Sequence, residues 1–485
     1  MPALSTAATP KRVTSGSVMM RGWMKGLVCI LSTCVLWFLP PPTGLKLMAW
    51  RMFALFLGTI LGFVLRPITS AAVVMVGVIL AVTLRMATLQ EALGFWANPT
   101  VWLVFVAFQF TIGFVKTGLG RRIALWLTRA FGGNTLKLAY ILSLNDLILA
   151  PAMPSNGARA GGVMLPITKS LIMALGSRPD STNRTLGSFL VLSTFYANCT
   201  TSAMFLTSMA SNSLIAELAK KTLNIEISWG LWLLASVVPG LLSLLLIPLF
   251  LYKVYPPELR DTPEAKMIAS RELAGMGAIT PRELWMLGIF VFTVGLWATS
   301  TFTKLDVTYI GFVGMGLMLL TGVIQWKDVL EEHAAWDIFM WLGGLIGLAG
   351  LMAKFGFITW FATVVSAKLG GVPWGMAFVV VVLVYFYSHY GFAGLAPHGV
   401  LMYAAFATLA VAAGAPKYPV ALSLAYASSL CTALTNYSAS PATIFFGAGY
   451  VDQTTWWKFG FLVSMINLVI WIGAGSLWWK LIGLW

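Results

Sequence analysis

The chain has 485 residues, 59% of them hydrophobic and 10% charged, whereas soluble domains carry roughly 25% charged residues. That balance excludes a soluble globule. The formal net charge of +15 then points to cationic loops facing anionic lipid headgroups rather than to a nucleic-acid partner.

In chain order, residues 1–25 hold Lys11, Arg12, Arg21 and Lys25, and the first acidic residue of the protein is Glu91. This reads as a cytoplasmic N-terminal segment, the alternative being a transit-peptide remnant. The apolar run from Leu27 ends in Pro40-Pro41-Pro42 without a small-residue cleavage site, which argues against a cleaved signal. Apolar runs close to the length a bilayer core of about 30 Å requires follow near 26–40, 47–65, 70–85, 100–117, 185–215, 229–251, 284–302, 307–324, 335–353, 418–446 and 458–480. The expected fold is therefore an all-α polytopic membrane protein with about eleven transmembrane helices. Cys29, Cys34, Cys199 and Cys431 all fall in apolar or small-residue stretches, with neither a disulfide framework nor a zinc spacing.

Two regions, 134–176 and 372–414, differ from these spans. Each holds two apolar stretches too short or interrupted to cross, broken at Pro151 and Pro154-Ser155-Asn156-Gly157 in the first and at Gly394 and Pro397-His398-Gly399 in the second. Irregular backbone at membrane depth is tolerated only where it is buried in protein or lines a cavity, so both read as re-entrant hairpins.

With the N-terminus inside, Arg66, Lys116, Arg121, Arg122, Arg129, Lys137, Arg178, Arg184 and the charged loop 252–283 fall on cytoplasmic ends. Lys220, Lys221, Lys304, Lys368 and Lys417 form a thinner outside set. This satisfies the positive-inside rule and puts Trp485 outside. A weak internal repeat relates Val101-Trp102 … Lys116-Thr117-Gly118-Leu119 to Ala335-Trp336 … Lys354-Phe355-Gly356-Phe357. Each copy leads through a short amphipathic segment into a hairpin and then a span broken by polar residues, and the two enter the membrane in opposite directions. Interrupted segments at corresponding places in inverted halves point to a transporter's binding site.

Each hairpin tip precedes a restarting helix, whose free N–H groups and partial positive charge suit carboxylates. The broken spans read Asn198-Cys199-Thr200-Thr201-Ser202 … Thr207-Ser208 and Thr432-Ala433-Leu434-Thr435-Asn436-Tyr437-Ser438-Ala439-Ser440-Pro441. Their hydroxyls either line a polar site or glue helices together. An ionisable residue at this depth is a functional candidate by default, and Arg159 and His398 are two such. Arg159 either supplies a fixed cation or pairs with Asp146, the only acid of its hairpin; His398 has a plain hydrogen-bonded core role as its alternative. His389 and His333 read as structural. No nucleotide-binding loop, metal cluster or catalytic triad spacing is present, so no cofactor and no enzymatic activity are expected. A membrane enzyme acting on lipid-linked substrates is the remote alternative, with Glu331-Glu332 as its only faint candidate.

These tips and broken helices resemble the divalent anion:sodium symporter (DASS) family, and within it the bacterial citrate/succinate and tartrate/succinate antiporter branch, to which plastid 2-oxoglutarate/malate translocators are related. The likeness runs from about residue 30 to the end. It is most specific in Gly118-Leu119-Gly120-Arg121-Arg122-Ile123-Ala124-Leu125, Ala150-Pro151 … Pro154-Ser155-Asn156, and Phe446-Gly447-Ala448-Gly449-Tyr450-Val451. The family's Ser-Asn-Thr signature stands here as Ser155-Asn156-Gly157, and its second tip as Ala396-Pro397-His398-Gly399. The lost threonines lead us to expect a roomier pocket and a bulkier anion.

The resemblance implies a homodimeric, elevator-type carrier in a bacterial inner membrane that exchanges di- or tricarboxylates without obligatory sodium, a sodium-coupled symporter being the alternative. Ser155, Asn156, Gly157, Pro397, His398 and Gly399 would hold carboxylates, Thr207, Ser208, Ser438 and Ser440 would line the sides, and Arg159 would supply fixed charge. The expected organisation is scaffold helices at 26–98 and 229–334, hairpin-bearing repeats at 99–228 and 335–457, and a C-terminal helix at 458–485.

Overall fold

The computed structural model describes residues 22–179, 181–368 and 373–485, and every regular element among them is helical. The expected segment 1–25, with Lys11, Arg12 and Arg21, falls almost wholly outside the described residues. Eleven crossing segments follow in chain order. They are α1 (Gly22–Phe38), α2 (Leu47–Leu65), α3 (Ser70–Thr83), α4 (Pro99–Thr117), the broken α5 (Ser188–Met204 and Ala210–Leu223) and α6 (Trp229–Val254). After these come α7 (Pro281–Thr303), α8 (Val307–Leu320), α9 (His333–Lys354), the broken α10 (Lys417–Leu430 and Ser440–Phe446) and α11 (Gln453–Leu468 continued by Gly475–Leu481). Among the described residues nine helices are long and apolar enough to cross a bilayer, three of them being hairpin arms, while α1, α3 and α8 are shorter apolar helices.

Polar residues between the apolar runs set where helices begin. The Asn98 side chain accepts from Thr100 N at 2.8 Å, Asp306 from Thr308 N and Tyr309 N, and Ser228 from Leu231 N. Thr280 and Glu283 form a reciprocal capping box ahead of α7. Each satisfies an N–H that the helix itself leaves orphaned. Exposed Leu241, Leu245, Val291, Phe292 and Val469 make an apolar outer surface suited to lipid.

The first hairpin runs up Thr135–Leu149, turns through Ala150–Ala152 and returns from Asn156 to Ala174; the second runs through Trp374–Ser388 and His389–Gly391 and returns along Leu395–Ala412. The repeat is more regular than the sequence alone suggested. Residues 238 positions apart correspond at Lys116 and Lys354, at Gly118 and Gly356, and at Arg66 and Lys304. The last pair both cap their helices in the left-handed region, at φ 51 and φ 59. Lys116 pairs with Asp328 at 2.6 Å and Lys354 with Glu91 at 2.8 Å. Each lysine at the end of α4 or α9 thus grips the acid in the short helix preceding the other, so the antiparallel pair is clasped at both ends.

Span α6 packs on the broken helices, on α11 and on α7. Trp232 Nε1 donates to Ala203 O and Tyr426 Oη to Trp232 O, both at 2.8 Å, and Ser243 Oγ donates to Asn467 Oδ1 at 2.9 Å. Span α4 packs on α8 and span α9 on α3, and both also pack on each other and on the second half of α5. The charged loop also has structure: its helix Glu264–Met276 lies on Leu119–Phe131, with Arg121 on Glu272 at 2.9 Å and the buried pair Arg122–Glu283 at 2.5 Å.

Candidate functional site

The first tip is shaped by two prolines. Pro151 and Pro154 withdraw two N–H donors, and Met153, before Pro154, leaves the helical region at φ −123 and ψ 86, so the chain turns and restarts at Asn156. Ser155 caps the restart by accepting from Ala158 N at 3.1 Å. The amides of Asn156 and Gly157, in the first turn, have no intrahelical acceptor. The Pro154 carbonyl accepts from Ala210 N at 3.1 Å, which fastens the tip to the restart of α5.

Arg159 turns away from the tip surface into the protein and is fully buried. Its Nε donates to Asp146 Oδ1 at 3.0 Å, Nη1 to the carbonyls of Met153 and Ser208 at 2.9 and 3.2 Å, and Nη2 to the hydroxyls of Thr201 and Ser202 at 3.3 and 2.9 Å. All five guanidinium donors are therefore engaged. Asp146 also accepts from Asn198 Nδ2 and Thr201 Oγ1. The charge of Arg159 is neutralised within the hairpin, which is the pairing that sequence reasoning held as its alternative.

In the second hairpin His398 is likewise buried. Its Nε2 lies 3.0 Å from both the Tyr385 carbonyl and Ser388 Oγ. His389 Nε2 sits 3.2 Å from Ser438 O. His389, His398 and Cys431 bring one donor atom each to within 4.8 Å of one another. The set contains no carboxylate.

The two breaks are built alike. Ser208 Oγ meets the carbonyls of Ser202 and Phe205, both at 2.7 Å, while Ser438 Oγ meets those of Thr432 and Thr435 at 2.6 and 2.9 Å. In both, the serine reaches six and three residues back to carbonyls the helix has released. Thr207 Oγ1 donates to Pro151 O at 2.5 Å and accepts from Trp229 Nε1 at 3.0 Å. These three hydroxyls are spent on holding the breaks, and in this conformation they do not reach the cavity.

A cavity of about 660 Å³ lies where the tips meet. Ser155 and Asn156 line it from the first tip, Gly394 to Pro397 from the second, Ser211 and Ser440 from the restarts of the broken helices, and Arg66, Ser70, Asp337 and Trp341 from the surrounding spans. Of the residues expected from sequence, Ser155, Asn156, Pro397 and Ser440 come together on its wall. Gly157 and Gly399 stand behind it. A Cβ on Gly157 would lie 2.8 Å from Ser440 Cβ, and one on Gly399 3.3 Å from Ile215 Cδ1. The room vacated by the missing threonines is thus filled by neighbouring side chains, contrary to the expected roomier pocket. Sequence reasoning missed Arg66. Its Nη2 lies 4.0 Å from where a Gly394 Cβ would be, and among the described residues it forms no ion pair. Its place opposite Lys304 in the repeat is the signal that could have found it. A guanidinium beside free helix-terminal amides is an arrangement that recognises carboxylates.

Eleven spans, two inverted hairpins and two broken helices around a cavity within the bundle define a multi-pass membrane transport protein rather than an enzyme. The family model described as "Sodium:sulfate symporter transmembrane region" matches residues 20–485. The chain is 43% identical over 462 residues to dicarboxylate transporter 1 of Spinacia oleracea chloroplasts, covering 95% of this chain and 81% of that protein. It is 41% identical over 462 residues to the putative malate transporter YflS of Bacillus subtilis, covering 95% and 96%. The crystal structure of the YdaH transporter of Alcanivorax borkumensis superposes with a TM-score of 0.54 at 12% identity, over 96% of this chain and 99% of that one, a likeness of fold alone. The protein belongs to the sodium:sulfate symporter family, the divalent anion:sodium symporters of the resemblance above.

Proposed function

We propose that the protein exchanges di- or tricarboxylate anions across a bacterial cytoplasmic membrane, as a sodium-independent antiporter. The observation that carries this reading is the single cavity on which both helix-restart tips and Arg66 converge. The names of the relatives, a dicarboxylate and a malate transporter, support the substrate class. Ser155, Asn156, Pro397 and Ser440 contact the anion. Gly157 and Gly399 let the tips pack closely, Arg159 and His398 brace them, and Thr207, Ser208 and Ser438 hold the breaks. The free amides at the tips carry partial positive charge and are costly to move through lipid uncovered, so the site crosses when an anion covers them. That coupling gives exchange.

The crossing is an elevator movement in a homodimer. Its moving unit is the two hairpins, α5, α10 and the α6 and α11 spans packed on them, against a scaffold of α2–α4 and α7–α9. The N-terminus lies inside and the C-terminus outside, following the distribution of basic residues.

Sodium-coupled symport is the second reading, and one feature favours it. The buried acceptors Asn145 Oδ1 and Asn198 Oδ1 have no partner among the described residues, and Asn198 adjoins Asp146. Labelled malate uptake into proteoliposomes decides between the two. Exchange predicts uptake driven by internal dicarboxylate with or without sodium. Accumulation driven by a sodium gradient into empty vesicles, with no response to internal anion, overturns it.

A further inference from the structure

The protein contains a second cavity, of about 560 Å³, at the opposite end of the bundle. Its wall holds Lys304 together with Pro99 and Leu103, whereas the first holds Arg66 with Asp337 and Trp341. All three pairs, Arg66 with Lys304, Pro99 with Asp337 and Leu103 with Trp341, are 238 positions apart. The two cavities are therefore the same scaffold surface presented twice, once toward each side of the membrane. The difference is that both hairpin tips line the first, and neither lines the second.

The two cations share their backbone as well as their place. Arg66 and Lys304 both sit at φ near +55, where L-residues other than Asn and Asp pay a steric cost, and each donates its N–H to the carbonyl four residues back. Holding a long basic side chain in that conformation at both helix ends fixes where the charge emerges. Neither forms an ion pair among the described residues. The acids nearby are spoken for or held apart. Asp306 caps α8, Glu217 accepts from Asn98 and lies 3.7 Å from Lys221, Glu226 lies 3.6 Å from Lys220, and Asp337 does not come within ion-pair distance of Arg66.

We infer that Arg66 and Lys304 are alternating counter-charges for the carboxylate anion, Arg66 receiving it on the face where the tips now stand and Lys304 on the opposite face once the tips have crossed. The inference rests on the exchange reading above and adds a scaffold contact on each side. Because each cation serves one face only, removing it weakens loading from that face and leaves the other unchanged.

The test is carboxylate exchange in proteoliposomes of one orientation, with external and internal malate titrated separately. Asparagine tolerates the left-handed region, so Arg66→Asn and Lys304→Asn keep the backbone. Arg66→Asn is expected to raise KM about tenfold at its own face and to leave KM at the other face and the saturated rate unchanged. Lys304→Asn is expected to do the reverse, and Arg66→Lys to restore low KM. Raising salt to 1 M should shrink the difference, since the Debye length falls to about 3 Å. Equal effects of both variants at both faces, or no effect of either, overturn the inference. A wild-type protein that exchanges no carboxylate instead overturns the functional reading beneath it.

Discussion

Arg159 and His398 occupy the same place in the two repeats: each reaches back 13 residues into its own hairpin arm, Arg159 to Asp146 and His398 to the Tyr385 carbonyl. The same spacing of 239 positions relates the N-caps Ser155 and Gly394. Both residues lie in the first turns of a helix that restarts at membrane depth, and both are buried. The shared geometry makes them braces that set the angle between tip and arm, one charged and paired, the other hydrogen-bonded to backbone.

That role predicts what Arg159→Gln does. The substitution strands Asp146 without its cation in a buried site, a change that costs about 3–5 kcal/mol. The melting temperature in detergent should fall steeply, and Asp146→Asn added to Arg159→Gln should recover part of it, because the uncompensated charge is gone. Wild-type melting combined with lost exchange would contradict the brace and return Arg159 to the role of fixed charge at the site.

Gly157 makes a second test. A Cβ there would stand 2.8 Å from Ser440 Cβ, closer than carbon atoms approach. Gly157→Thr is expected to push the first tip off the restart of α10 and to reduce exchange severely. Gly157→Ala combined with Ser440→Gly frees that contact and should recover melting temperature lost in Gly157→Ala alone. If Gly157→Thr exchanges malate at the wild-type rate, the close packing of tip and restart is not needed.

The serines at the breaks offer a comparison between repeats. Ser208 and Ser438 each place one hydroxyl proton between two carbonyls released by a broken helix. At the first break Asn212 Nδ2 donates to the same two carbonyls, at 2.7 and 2.9 Å, and an unsatisfied buried polar group costs about 1–3 kcal/mol. Ser438→Ala should therefore lower the melting temperature more than Ser208→Ala, whose carbonyls Asn212 still satisfies. Thr207→Ala should cost stability as well, since its hydroxyl joins Pro151 to Trp229. Equal losses from the two serines would show that Asn212 does not stand in for the Ser208 hydroxyl.

The spans, the hairpins and the inverted repeat were legible in the sequence because lipid forces apolar length and confines irregular backbone to buried sites. The polar stretches at 155–157 and 396–399 marked both tips for the same reason. The direction in which a side chain points was not legible. Ser440 faces the cavity while Ser438, two residues earlier, faces its own backbone, and nothing in the composition of the run separates them. Arg159 was visible as a buried charge, but a partner 13 residues away on a hairpin arm is set by the return angle, which only packing determines. Arg66 escaped because it looked like one more basic loop residue. Its left-handed cap and its counterpart at Lys304 become apparent only when the helices are placed.

The charged loop supplies a pH prediction. Burial raises the Glu272 carboxyl, but hydrogen bonds from Ser170 and Arg121, with the Arg121 charge, outweigh it and hold the group below its ordinary 4.5. The fold thus favours the ionised form. Its contribution is complete above that ordinary value and is lost as pH falls through the lower folded value. Hydrogen exchange along Glu264–Met276 should accordingly be slow and flat from neutral pH down to about pH 5 once corrected for intrinsic rates, then rise as acid protonates Glu272 and the loop helix leaves Leu119–Phe131. Glu272→Gln should raise exchange at neutral pH and flatten the acid limb. The buried Arg122–Glu283 pair continues to anchor the start of α7 beside the loop, so the loosening should stop there. A wild-type profile with no acid limb, or one unchanged by Glu272→Gln, would place the docking energy elsewhere in the loop.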